Sequence, residues 1–391
     1  MNQDYRARLF PEICKADTPG RLLAVARAAA ALHPWSADGA MDPEELLVGD
    51  VPLALYGAGR FAKSVLEHWL PLGVRPAFCV DNNPKLWGKQ LLGIPIAPVA
   101  ALGEQRPAPR VVVAAMISGG IAAELAGHGL PCLFAERDGQ VGYLPGWHLL
   151  RAGADLERLW PALADDHSRR VLLAACKARL FQSIHFEMVG SPFLHQVASA
   201  PQYFQADLLD FADGETWVDC GAFDGDFVVG GHAFMHAAGR TAPAIHAFEA
   251  DADNLARLRR TVRDYGLENI HLHHALVGGA DGWCAEPDFN NCRADGTIAP
   301  VRRVTLDSAL EGREAHFVKM DIEGAEPEAL AGARNLIGRW HPKLAICIYH
   351  ETRHLLDIPL SLHDPHSGYR IYLRHHSTHT LWETVCYAAP G

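Results

Sequence analysis

One run of residues constrains this chain more than any other: TWVDCGAFDGD, residues 216–226. It reads as a buried apolar strand that ends on an acid and passes through a glycine turn into a helix. Gly221 and Gly225 lack a Cβ, which lets the backbone come close to a ligand, and Asp219 and Asp224 offer acceptors to an ammonium or to amide donors. Three acids, Asp219, Asp224 and Asp226, exceed what capping one helix requires. Strand and helix then alternate. TWVDCGAF, AIHAFEAD, NIHLHHALV, AHFVKMDIEG and KLAICIYH are strand candidates, most with a helix between them, which is the pattern of a parallel sheet. YRIYLRHHSTHTLWETVCYA reads as two strands around a polar turn, an antiparallel hairpin closing that sheet.

An earlier stretch follows the same β-α-β logic. VPLALYGAGRFAKSVLEHWLPLG reads as strand, glycine turn and amphipathic helix, RPAFCVDNNP and RVVVAAM as further strands, IAAELAGHGL as a helix and PCLFA as another strand. A chain of 391 residues exceeds what one core usually holds, and 49% hydrophobic with 21% charged residues is ordinary globular usage. The expected fold class is therefore α/β, with two doubly wound Rossmann-like domains at 49–150 and 151–391 behind a helical lead-in at 1–48. Residues 154–181 are helical by period and have no interior glycine, so one helix is expected there, bridging the two sheets.

The chemistry gathers in the second half. AIHAFEAD places Glu249 at the end of the next strand, where a carboxylate can take both ribose hydroxyls of a nucleoside. Carboxylates at this density repel a dinucleotide pyrophosphate but suit the ammonium and sulfonium of S-adenosylmethionine. The expected cofactor-binding residues are Asp219, Gly221, Ala222, Phe223, Asp224, Gly225, Asp226, Glu249 and Ala250, with Ala275 and Leu276 where an adenine would lie. FVKMDIEGAEPEAL then carries a fourth strand into Asp321, Glu323 and Glu326. A hydroxyl receiving a methyl group needs a base, and His350, at the end of KLAICIYH, and Asp321 are the expected catalytic residues. A strand-end histidine bonded to backbone is an equal reading of His350. No metal is expected, because Asp321 and Glu323, two apart on a helix, diverge, and the histidines at 271–274 and 374–379 lack a carboxylate at ligand spacing.

VDCGAFDGD, AFEAD, VTLDSAL, KMDIEGAEPEAL, PKLAICIYH and GYRIYLRHHS follow one another as in the FkbM-type S-adenosylmethionine-dependent methyltransferases, which the chain resembles throughout residues 155–390. ALADDHSRRVLLAACKARL and the QYF at 202–204 are similar to that family's lead-in segments. The resemblance implies a class I methyltransferase fold and methyl transfer, usually to an oxygen of a sugar, polyketide or other small molecule. It also implies cofactor positions at Asp219, Gly221 and Glu249. The stretch WCAEPDFNNCRADGT, 283–297, departs from the serine-rich pattern of many relatives where the acceptor pocket should be shaped.

The first unit resembles the small amino-terminal domains of sugar-nucleotide acyltransferases in VDNNPKLWGKQLLGIPI, and Gly57, Gly59 and Ala62 with Asp81 match a dinucleotide fingerprint. It is read as a substrate-presenting or structural module. An NAD-dependent oxidoreductase and a non-catalytic ligand sensor are the alternatives for the chain. A formal net charge of -11 disfavours nucleic acid and anionic membranes as partners, leaving a small-molecule acceptor, with homo-oligomerisation left open. No secretory signal is legible at the start, so the cytoplasm is expected. Nine scattered cysteines without a CxxC pair read as reduced, buried small hydrophobes.

Overall fold

The computed structural model describes all residues except 1–8, 10, 34, 36–41, 116–118, 137, 182–191, 285–299, 364–367 and 379. The first sheet contains β1 (Leu53–Tyr56), β2 (Phe78–Val80), β3 (Gln90–Leu91), β4 (Ile94–Ala97), β5 (Arg110–Val113), β6 (Cys132–Ala135) and β7 (Val141–Gly142). Its order is β3-β4-β2-β1-β5-β6-β7, parallel from β4 to β6 and antiparallel at both edges. The strands are short apolar runs buried on both faces, as a sheet covered by helices on each side requires.

The second sheet is built from β8 (Thr216–Cys220), β9 (Ala244–Glu249), β10 (Ile270–His274), β14 (Phe317–Met320), β15 (Lys343–Cys347), β16 (Tyr369–His375) and β17 (Thr384–Pro390). Its order is β10-β9-β8-β14-β15-β17-β16. β10 to β15 run parallel, and β17 inserts antiparallel between β15 and β16, the closing hairpin expected from the sequence. Strand order reverses direction between β8 and β14, and ligands of open α/β sheets bind outside the strand ends at such a switch point. A small separate sheet, β11 (Leu276–Val277), β12 (Gly282–Cys284) and β13 (Val301–Val304), was not legible in the sequence.

Both sheets contribute to one apolar cluster. Leu55, Val112 and Leu133 of the first and Val218, Val318 and Ile346 of the second are joined through the helices Pro19–Ala31, Gly153–Ala162 and Asp166–Leu180. The single helix expected over 154–181 is two helices. Pro161 sits in the last turn of the first, the chain at Leu163–Ala164 pairs with Ile371 of β16, and the Asp165 carboxylate caps the second helix through the Ser168 amide. Asp165 also binds Arg374 at 2.8 Å, so the break ties this connection to the second sheet. The far face of that sheet is lined by interlocked rings, Phe204, Phe211, Trp217, Phe227 and Phe317. Among the described residues no helix is long and apolar enough to cross a membrane. Six of the eight described cysteines are buried, and all eight are free thiols.

Candidate active site

The register between β8 and β14 pairs Asp219 with Lys319 as direct cross-strand neighbours. Both side chains are sealed from solvent, at 0% and 3% exposure, and Lys319 Nζ donates to Asp219 Oδ1 at 2.9 Å and to the Gly221 carbonyl at 2.7 Å. Burial pushes the Asp219 carboxyl up to about 6 against the pull of Lys319. Burial also opposes the charge on Lys319, yet Asp219 and Asp321 outweigh it and hold the amine above its usual range. The other oxygen of Asp219, Oδ2, is buried and has no hydrogen-bond partner among the described residues. A buried, unsatisfied acceptor of this kind is expensive unless a ligand completes it.

The turn after β8 is shaped by packing. Gly221 has φ +82°, and a Cβ there would lie 2.0 Å from the Asp321 carbonyl oxygen; Gly225, at φ +99°, would clash with Leu258. These glycines make room for protein, where the sequence reading assigned that room to a ligand. Ala222 is buried, Phe223 is half exposed at φ +45° under the Arg257 guanidinium, and Asp226 begins the helix Asp226–Ala237 with Asp224 part-buried before it. Glu249 lies beside this turn at the end of β9, 6% exposed. Its Oε2 accepts from the Phe223 amide at 2.8 Å and its Oε1 from the Asp251 amide at 2.7 Å. Burial raises its pKa against these two bonds. Each carboxylate oxygen has a second lone pair, so capacity for ribose hydroxyls remains. Ala275 is buried and donates to the Glu249 carbonyl, Leu276 opens β11, and the Ala250 carbonyl meets His274.

A second group gathers at the ends of β14 and β15. Asp321 Oδ1 accepts from the Tyr349 hydroxyl at 2.8 Å and Oδ2 from the Tyr203 hydroxyl at 3.0 Å. Burial alone would raise the Asp321 pKa, but Lys319, His350 and these two hydroxyls hold it below the usual carboxylate range. His350 Nε2 lies 3.4 Å from Asp321 Oδ1, so the fold brings together the two expected catalytic residues. On its other side His350 Nδ1 is 2.9 Å from Glu326 Oε1. Burial lowers the histidine's affinity for a proton, while Glu326, Asp321 and Glu323 outweigh it and move the pKa above its ordinary value. A histidine so surrounded is not the strand-end residue bonded to backbone that the sequence also allowed.

Residues 219–376 match the family model of the methyltransferase FkbM domain. That span starts on Asp219 and takes in Glu249, Asp321 and His350. The fold is similar over nearly its whole length to the crystal structure of methyltransferase FkbM from Methylobacillus flagellatus KT, with 24% identity, 95% of this chain and 99% of that one covered, and a TM-score of 0.58. Two further solved structures overlap about half the chain: an rRNA methylase from Streptococcus thermophilus (14% identity, 47% of this chain and 89% of that one, TM-score 0.31) and a SAM-dependent methyltransferase from Aquifex aeolicus (14%, 45% and 82%, TM-score 0.28). No curated protein matches the chain. The match over residues 219–376 supports a methyltransferase.

Sequence reasoning gave no role to three residues of this site and placed a fourth, Glu326, only among the carboxylates at the end of its strand, although it is fully buried. Lys319 carried a signal, since a lysine inside an apolar strand is tolerated only with a partner. Tyr203 and Tyr349 carried none, because their roles depend on a contact 118 residues away in one case and 28 in the other. The divergent stretch at 283–297 lies outside the described residues apart from Trp283 and Cys284.

Proposed function

We propose that the chain moves the methyl group of S-adenosylmethionine to a hydroxyl oxygen of a small molecule, with Asp321 holding that hydroxyl. The observation that carries this reading is the clamped carboxylate itself. Two tyrosine hydroxyls orient Asp321 at the end of β14, directly beside the strand that carries Asp219, and Lys319 and His350 together with these hydroxyls favour its ionised form. Its side chain is 26% exposed while that of His350 is 4% exposed, so an acceptor meets Asp321 first and His350 stands behind it. The acceptor's proton passes to this Asp321–His350 pair.

The residues at the ends of β8 and β9 fit the cofactor. The unsatisfied Asp219 oxygen suits an ammonium, and the spare lone pairs of Glu249 suit ribose hydroxyls. When bound, the cofactor supplies an electrophilic methyl carbon on a sulfonium; the chain's own residues supply position, which is where much of the barrier to such a displacement is met. The net charge of -11 favours a small acceptor over a nucleic acid. The sheet at 53–142 then serves as a structural or substrate-presenting module.

Calorimetry with S-adenosylmethionine, paired with release of S-adenosylhomocysteine over a panel of hydroxylated sugars and polyketides, tests the reading. Asp321→Asn is expected to bind cofactor and lose on the order of 10²- to 10⁴-fold in turnover. Undiminished turnover would remove Asp321 from the site, and no cofactor binding by the wild type would remove the function.

A further inference from the structure

Behind the proposed acceptor position lies a group of buried polar atoms that methyl transfer does not account for. Glu326 is 0% exposed and His350 4%; neither Glu326 Oε2 nor His350 Nδ1 has a hydrogen bond of good geometry among the described residues. His354, also buried, points its Nδ1 at the same Oε2 across 3.6 Å, and that nitrogen is likewise unsatisfied. Three orphaned atoms in one contiguous place are unusual, because buried polar groups nearly always find partners. Glu326 Oε1 accepts from the Ile322 amide, which leaves Oε2 as its unused oxygen. Asp321, Glu323 and Glu326 all face one imidazole, at 3.4, 3.9 and 2.9 Å.

We infer that Asp321, Glu326 and His350 form a site for one divalent first-row cation. One donor atom from each of these residues lies within 4.8 Å of the others. Donors bonded to one such ion at about 2.0–2.6 Å stand at most about 4–5 Å apart, so the trio closes on an ion with small side-chain shifts. One imidazole nitrogen with two carboxylates is a hard to borderline donor set, suited to manganese, iron(II) or zinc. The three residues come from the end of β14, the first turn of the helix Glu326–Ala331 and the segment after β15, so only the folded sheet assembles them. The sequence pair Asp321 and Glu323 is replaced by a trio whose members are five and twenty-four residues apart.

The inference rests on the methyl-transfer reading only in placing the ion next to the acceptor hydroxyl, where its charge would favour the ionised acceptor. Ion binding is measured on the cofactor-free full-length chain. Chelator-treated protein titrated with Mn²⁺ is expected to take up one equivalent by calorimetry and to immobilise the Mn²⁺ electron-spin resonance signal. Glu326→Gln keeps an oxygen for the Ile322 amide and is expected to weaken Mn²⁺ about tenfold or more; His350→Gln is expected to do the same. Glu328→Gln, which removes an exposed charge from the same helix, is expected to leave uptake unchanged. Absence of stoichiometric uptake by the wild type overturns the site, as does uptake that both variants leave intact. If Glu326→Gln does not fold, the His350→Gln and Glu328→Gln pair decides by the same criterion. Cofactor binding without Mn²⁺ uptake would overturn the cation site alone, and Mn²⁺ uptake without cofactor binding the methyl-transfer reading alone.

Discussion

The turn after β1 and the turn after β8 are built on one plan. Gly57 and Gly221 both have positive φ, and a Cβ on either would run into a backbone carbonyl of the neighbouring strand's end, Ala114 at 2.5 Å and Asp321 at 2.0 Å. The acid at the end of the second strand closes each turn: Asp81 Oδ2 accepts from the Ala58 amide at 2.9 Å, as Glu249 Oε2 accepts from the Phe223 amide at 2.8 Å. Each acid uses its other oxygen on the amide two residues on. The glycine turn and its acid are therefore a way of making a β-α-β corner, with or without a ligand. What separates the second turn from the first is the charge buried behind it. Asp219, Lys319, Asp321 and His350 line the second switch point, while at the first the position that corresponds to Asp219 is Leu55, buried in the apolar core.

The largest difference should appear in turnover. His350→Ala is expected to retain cofactor binding and lose on the order of 10²- to 10⁴-fold in methyl transfer, whereas Asp81→Ala in the first turn should keep turnover once folded; S-adenosylhomocysteine release at saturating cofactor compares the two. Full activity in His350→Ala would pass its role to Asp321 alone. Next comes stability. Lys319→Met leaves the Asp219 carboxylate buried without its counter-charge, at a cost of about 3–5 kcal/mol by urea unfolding, and Asp219→Asn in the same chain should recover part of it. A loss below about 1 kcal/mol would mean that the pair is solvated as surface pairs are.

Glu249→Ala should weaken S-adenosylmethionine by roughly 1.5–3 kcal/mol for each charged hydrogen bond lost, and Asp81→Ala should leave that affinity alone. Equal losses at both positions would erase the distinction between the turns. The smallest effect is a slope. Glu136, after β6, accepts from the Gly146 amide and from the Thr352 hydroxyl of the second half, and burial pushes its carboxyl from 4.5 up to about 7. The folded chain then keeps a proton that the unfolded chain has lost, so this residue's contribution falls as pH rises from 4.5 to about 7 and is flat above. Urea midpoints across that window should decline less steeply in Glu136→Gln than in the wild type, and parallel slopes would remove Glu136 from the account.

Much of the second sheet was legible because most of its parallel strands are apolar runs bounded by turn residues, and the closing hairpin showed its polar turn. The helix break at 163–165 was passed over because the period continues across it, although Pro161 in the last turn of the first helix and Asp165 capping the second mark it; the pairing of Leu163 with Ile371 and the Asp165–Arg374 contact hold the break in place. The helix Pro19–Ala31 was read as a lead-in, yet Leu22, Leu23 and Ala26 are buried in the core that both sheets share. Apolar spacing marks a buried face without saying what covers it.

The sequence by itself determined the two α/β sheets, the strand ends at which acids collect, and the expectation of S-adenosylmethionine chemistry at the second of them. Local pattern suffices for these, because a period of two or of 3.6 and a glycine turn are properties of neighbouring residues. Only the tertiary structure decided that Lys319 lies against Asp219, that Tyr203 and Tyr349 orient Asp321, and that Glu326 rather than Glu323 closes on His350. Those contacts join residues up to 118 positions apart, and their strength comes from removing charge from water, which happens only when the sheet closes around them.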